Sequence, residues 1–116
     1  MIEVYHKDLD QSRTVIQYHA FDWPDKEVPS QENLSGLTIL TEKCVSELEN
    51  RKKPILVHCS AGVGRTGVFM ALVMLMRQVN ALDEQSGGKE LSEIPHLGIS
   101  VFDLVRHLRE MRWGSV

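Results

Sequence analysis

Apolar positions along the chain follow three patterns. Ile2–His6 and Thr14–Ala20 are β-prone runs, and the polar stretch Lys7–Ser12 between them has turn composition, so a hairpin is expected. From Leu34 onward the apolar residues return every three or four positions: Leu34, Leu37, Leu40, Cys44, Val45 and Leu48 share one face, with Thr41 among them. Glu42, Lys43, Glu47 and Glu49 lie off that face, so the spacing predicts an amphipathic helix. Ser30 is its candidate N-cap, and Asn50-Arg51-Lys52-Lys53-Pro54 ends it on cations that suit the helix dipole. Val68–Met76 is apolar without interruption and predicts a helix buried on most sides. Val101, Leu104, Val105, Leu108 and Met111 form one face of a last helix, with Ser100 as N-cap and Asp103 as the acid of a capping-box variant.

The connections carry their own signals. Pro24 and Pro29 bar helix and central strand from Phe21–Ser30, which must be a loop. Residues 83–90 (Asp-Glu-Gln-Ser-Gly-Gly-Lys-Glu) are the most loop-like part of the chain, and Pro95 and Gly98 close that region. Ile55–Val57 suits a fully buried strand. Strand, helix and strand in that order predict a βαβ crossover into a parallel or mixed sheet, hence an α/β fold.

Composition narrows the choice of chemistry. The 116 residues fit one domain, and a 42% apolar, 25% charged chain is an ordinary soluble one. A net charge of −3 gives no support to nucleic acid as a partner. The longest apolar run is far short of the roughly 18 residues a membrane helix needs, so no membrane insertion is expected. Residues 1–10 have neither the basic nor the apolar region of a signal peptide. Cys44 and Cys59 make no disulfide framework, which favours an intracellular setting.

Between the expected strand at 55–57 and the buried helix lies Gly62-Val63-Gly64-Arg65-Thr66-Gly67, which spells G-x-G-x-x-G. The dinucleotide reading fails because the acids at the right distance, Asp83 and Glu84, follow no strand. The NTPase reading fails for want of Gly-Lys-Ser/Thr. The residues fit an anion cradle instead. Ser60, Ala61, Gly62, Val63 and Gly64 let a loop curl its N–H groups inward at a helix N-terminus. Arg65 closes the cradle with a two-pronged fork onto phosphate oxygens. A cysteine facing such a nest is held as thiolate, the nucleophilic form, so Cys59 is the expected nucleophile. Thr66 is placed to donate its hydroxyl to that thiolate, and His58 is either an orienting residue or an ordinary buried histidine.

Residues 57–67, Val-His-Cys-Ser-Ala-Gly-Val-Gly-Arg-Thr-Gly, closely resemble the signature of classical protein tyrosine phosphatases. The resemblance implies a partial phosphatase fold and hydrolysis of phosphotyrosine in proteins through a cysteinyl-phosphate intermediate, with no metal and no cofactor. Trp23-Pro24-Asp25 resembles the family's mobile acid loop. By that resemblance Asp25 protonates the leaving phenolate and then activates water, while Trp23 and Pro24 serve loop closure; burial on closure would raise its pKa as an acid requires. Lys26-Glu27 departs from the small or aromatic residue and glycine usual there, which bears on loop mobility and rate. Val105–Val116 is similar to the segment that leads to the family's water-positioning glutamine, expected about one residue further on.

A classical catalytic domain is more than twice this long, and the match is to its C-terminal half. The chain is therefore expected to be a single, partial catalytic domain over residues 1–116. Its implied partners are phosphotyrosine proteins and the remainder of a larger phosphatase chain. Its expected location is cytoplasmic, including the cytoplasmic part of a receptor-type protein. Two other functions fit the same residues: a phosphotyrosine-binding or catalytically impaired fragment, and a dual-specificity phosphatase. The other candidates have plainer readings. Cys44 and the methionines Met70, Met74, Met76 and Met111 read as core. His6, His19, His96 and His107 read as surface or hairpin residues rather than metal ligands, and Lys52-Lys53 as a solvated helix end; Arg106, Arg109 and Arg112 recur at helical spacing and read as an exposed basic face, the alternative being that one of them faces the site.

Overall fold

A computed structural model describes residues 1–51, 54–87 and 98–116. Lys52-Lys53, Pro95 and His96 lie outside the described residues. The chain opens with an antiparallel hairpin of β1 (Ile2–His6) and β2 (Gln11–Val15), in which Ile2 faces Val15 and His6 faces Gln11. Asp10 turns the corner at φ 48° and accepts a 2.7 Å hydrogen bond from the Tyr5 hydroxyl, while Leu9 N donates to His6 Nδ1 at 3.3 Å. The second strand thus begins at Gln11 and ends at Val15, correcting the expected Thr14–Ala20. The reason is register: Val15 already faces the first residue of β1, so Ile16–Ala20 run past their partner. Every residue of both strands is exposed.

Helix α1 (Gln31–Arg51) starts where the sequence places it. Ser30 caps it, its Oγ accepting from Asn33 N at 3.3 Å. Leu37, Thr41, Cys44 and Val45 form the buried stripe, and the Thr41 hydroxyl satisfies itself on the Leu37 carbonyl at 2.8 Å. Leu34 remains 47% exposed. Helix α2 (Gly64–Ser86) packs against this stripe through Phe69 and Val73, and Trp23 from the preceding loop completes one core cluster. Met70, Met74 and Met76 are half-buried rather than enclosed. The loop expected from residue 83 does not start there: Asp83–Ser86 continue α2, because Glu and Gln are good helix formers, and Gly87 stops it in the left-handed conformation at φ 63°.

Helix α3 (Val101–Met111) lies on α2 through Leu104 and Leu108. Ser100 Oγ accepts from Asp103 N at 3.1 Å, half of the expected capping box; the Asp103 carboxylate turns to Arg106 at 3.2 Å instead. Val101 and Met111, expected on the buried face, are 60% and 68% exposed, since an 11-residue helix crossing α2 buries its middle and not its ends.

Among the described residues the sheet is the β1–β2 hairpin alone. Ile55–Val57 pairs with no described strand, and Leu56 is 87% exposed. The expected parallel sheet and βαβ crossover are therefore not seen here. A strand exists through its neighbour's hydrogen bonds, and no described strand pairs with this segment, although Val57 packs against the core.

Candidate active site

Cys59 ends the extended segment after Pro54, and the loop 60–63 curls from it into the first turn of α2. Gly62 adopts φ 70°, a conformation that costs an L side chain about 1–2 kcal/mol. That conformation turns the Gly62 N–H inward, where it donates to Cys59 Sγ at 3.2 Å. The Cys59 thiol is lowered to about 7. The Thr66 hydroxyl is the largest cause; the backbone amides of Thr66, Gly62 and Val63 add to it, and partial burial opposes them. Thr66 Oγ1 is buried with no completed hydrogen bond, so its proton is free to turn to an anionic sulfur. Cys44 behaves oppositely: burial in the core pushes its thiol up.

Arg65, in the first turn of α2, reaches back over the loop. Its Nη1 donates to the Trp23 carbonyl at 3.0 Å, and its Nη2 donates to Ser60 Oγ at 3.0 Å and lies 3.4 Å from Asp25 Oδ1. Its Nε is buried and has no partner. One guanidinium thus joins the loop that carries Asp25 to the loop that carries Cys59.

The segment Trp23–Glu27 is a closed turn. The Trp23 indole is in the core, 8% exposed, and its Nε1 donates to the Glu27 carbonyl at 2.8 Å. Asn33 Nδ2 ties the loop to α1 through the Asp22 carbonyl at 3.1 Å. Lys26 takes φ 64° at the tip. The Asp25 side chain is 65% exposed, so the burial expected on loop closure is absent from this geometry. His58 is exposed and donates or accepts no hydrogen bond among the described residues. The structure therefore gathers Cys59, Ser60, Ala61, Gly62, Val63, Gly64, Arg65, Thr66, Trp23, Pro24 and Asp25 around one cradle, and leaves His58 at its edge.

Two arginines of the basic series make contacts that the sequence reading held only as its alternative. Arg112 is exposed as expected, yet its Nη2 donates to the Ala61 carbonyl at 3.2 Å, and the same nitrogen lies 3.3 Å from where a Cβ at Gly62 would stand. Arg109 folds onto the chain that follows α3, donating to the Ser115 carbonyl at 3.1 Å and to Val116 O at 3.0 Å. A turn at Gly114, φ 78°, brings Ser115 and Val116 back over the start of α2, where the Val63 carbonyl accepts from both Gly67 N at 2.9 Å and Val116 N at 3.3 Å. The arginine spacing of three and the glycine after it were the available signals; periodicity alone does not reveal that Arg112, extended at the end of α3, meets a loop some fifty residues earlier.

Among the described residues no group of His, Cys, Asp and Glu has a metal-binding arrangement, and no helix is long and apolar enough to cross a membrane. A family model described as protein-tyrosine phosphatase matches residues 1–116. The chain is 31% identical, over 99% of its length, to tyrosine-protein phosphatase 3 of Dictyostelium discoideum, of which it covers 11%. It is 43% identical to receptor-type tyrosine-protein phosphatase eta of Gallus gallus over 66% of its length, covering 5% of that protein. It is 33% identical to receptor-type tyrosine-protein phosphatase N2 of Macaca nemestrina over 97% of its length, covering 10% of that protein. The chain thus spans about a tenth or less of the length of these relatives. No solved structure matches it.

Proposed function

The chain belongs to the protein-tyrosine phosphatase family, and on that premise we propose that it is a single, partial catalytic domain that hydrolyses phosphotyrosine in proteins, with Cys59 as nucleophile. The observation that carries this reading is the Cys59 sulfur in a nest of amides, its thiol lowered to about 7, in a loop that Arg65, with an unpartnered buried donor, ties down at Ser60.

The steps follow from the groups in place. A phosphate entering the cradle takes its oxygens to the loop amides and to Arg65, whose buried Nε lacks an acceptor at a cost of about 1–3 kcal/mol until one arrives. The Cys59 thiolate attacks phosphorus, forming the S–P bond as the P–O bond to the tyrosine ring breaks. Asp25 delivers its proton to the leaving phenolate oxygen. The carboxylate so formed takes a proton from water, which attacks phosphorus, breaks the S–P bond and returns Cys59 as thiolate. Thr66 stabilises that departing thiolate from the helix side. His58 is proposed as an orienting residue of the Cys59 backbone.

The substrates are phosphotyrosine proteins, met in the cytoplasm by a domain of a longer, receptor-type or soluble, phosphatase. The test is phosphate release from a phosphotyrosine peptide followed from the first turnover, with Cys59→Ser as control. Steady release that the control abolishes supports the reading. A single burst of one phenol per chain limits it to the first step, and no release from a folded chain overturns it.

A further inference from the structure

The amide that touches the nucleophile and the carbonyl that touches Arg112 belong to one peptide unit. Gly62 N donates to Cys59 Sγ at 3.2 Å, and across the same Ala61–Gly62 bond the Ala61 carbonyl accepts from Arg112 Nη2 at 3.2 Å. That unit is planar and rigid, so fixing its oxygen fixes the direction of its N–H. We infer that Arg112 is a positioning residue for the nucleophile: through the Ala61–Gly62 peptide it aims the Gly62 N–H at the sulfur and polarises it toward the thiolate.

Three observations support this relay. The Gly62 φ of 70° is one of several states open to glycine, so the residue does not fix the peptide's orientation by itself and a partner at the Ala61 carbonyl can. Arg112 occupies the space on that side, 3.3 Å from the Cβ position of Gly62. The exposed guanidinium has no carboxylate within ion-pair range among the described residues, so no anion competes with the Ala61 carbonyl for it. A hydrogen-bonded chain from a cation through a peptide to an anion strengthens each of its links. The other polar groups acting on Cys59 are the Thr66 hydroxyl and the amides of Thr66 and Val63; the charged groups of the neighbouring loops, Arg65 and Asp25, pair with each other, and Arg112 is what the end of α3 contributes.

The inference rests on Cys59 as the nucleophile but not on turnover, so its test is alkylation. Iodoacetamide modification of the Cys59 peptide is followed by mass spectrometry as a function of pH in the 116-residue chain, with circular dichroism as the check of folding. Arg112→Ala is expected to raise the midpoint of the profile by about one pH unit, a roughly tenfold smaller thiolate fraction below it. Arg112→Lys, which keeps charge and donor, is expected to stay near the parent. Arg112→Gln, which keeps a donor without the charge, is expected to fall between, and it decides the matter if the alanine variant does not fold. Unmoved midpoints in folded Arg112→Ala and Arg112→Gln overturn the inference, even if both variants melt earlier, because a purely structural arginine would do that. The phosphatase reading fails separately, on absent phosphate release by a parent chain whose Cys59 alkylates normally.

Discussion

Asp25 Oδ1 lies 3.4 Å from Arg65 Nη2. The proposed acid and the proposed phosphate-binding cation therefore meet before substrate arrives, and a bound phosphate must compete with the carboxylate for that nitrogen. At this exposure the pair is worth about 0–1 kcal/mol, too little to close the site and enough to bias it.

Asp25→Asn removes the proton donor while keeping the shape. Turnover of a phosphotyrosine peptide is expected to fall by about two to four orders of magnitude, the usual worth of a general acid. The melting temperature should stay within a degree or two of the parent, and inorganic phosphate should bind slightly tighter because Arg65 Nη2 loses its competitor. Steady-state kinetics and a phosphate titration by calorimetry check the two effects together.

The two cysteines should separate by pH. Cys59 ionises near 7, so its alkylation and the first chemical step should rise as pH increases through 7 and level off above it. Cys44 stays a buried thiol, its pKa raised, and should react only on unfolding. The linkage has a definite sign: a folded thiol with a lowered pKa stabilises the fold above its unfolded pKa, and that contribution is lost as pH falls through about 7. Peptide-resolved alkylation and melting curves between pH 5 and 9 read both.

Gly67→Ala should destabilise and Gly36→Ala should not. A Cβ at Gly67 would stand 2.7 Å from Val116 N and 3.3 Å from Ser115 Cβ, and backbone cannot yield as a flexible side chain can. The expected cost is about 1–3 kcal/mol. Gly36, inside α1 with nothing within 4 Å, should gain roughly 0.5–1 kcal/mol as alanine. Opposite shifts in urea midpoint would confirm that the chain after α3 is seated on α2.

Trp23→Phe and Trp23→Ala should part company. The phenyl ring keeps most of the core contact and loses the 2.8 Å bond to the Glu27 carbonyl; the methyl group leaves a cavity expected to cost about 3–5 kcal/mol. Urea unfolding measures the difference.

Helix α1, the caps at Ser30 and Ser100 and the cradle residues 59–66 were all readable in the sequence, because each depends on neighbours within one or two turns. What was not readable depends on distant partners. The end of β2 is set by the length of β1, and Ile55–Val57 has strand composition but no described strand beside it. Arg112 looks like one more residue of the basic series that ends α3 until Ala61 is placed against it. The candidate site was legible where it is local, at Cys59 and Arg65, and only an alternative where the end of α3 meets it.

Trp23 contributes its indole to the core and its carbonyl to Arg65. A residue with both duties makes the core the gauge block of the candidate active site. Small errors of packing around Leu37, Val45 or Phe69 are transmitted to the guanidinium as errors of alignment, where displacements of about 1 Å are costly to catalysis. Selection on such a chain acts on fit as well as on stability: a core substitution harmless to folding can still be read out at the phosphate.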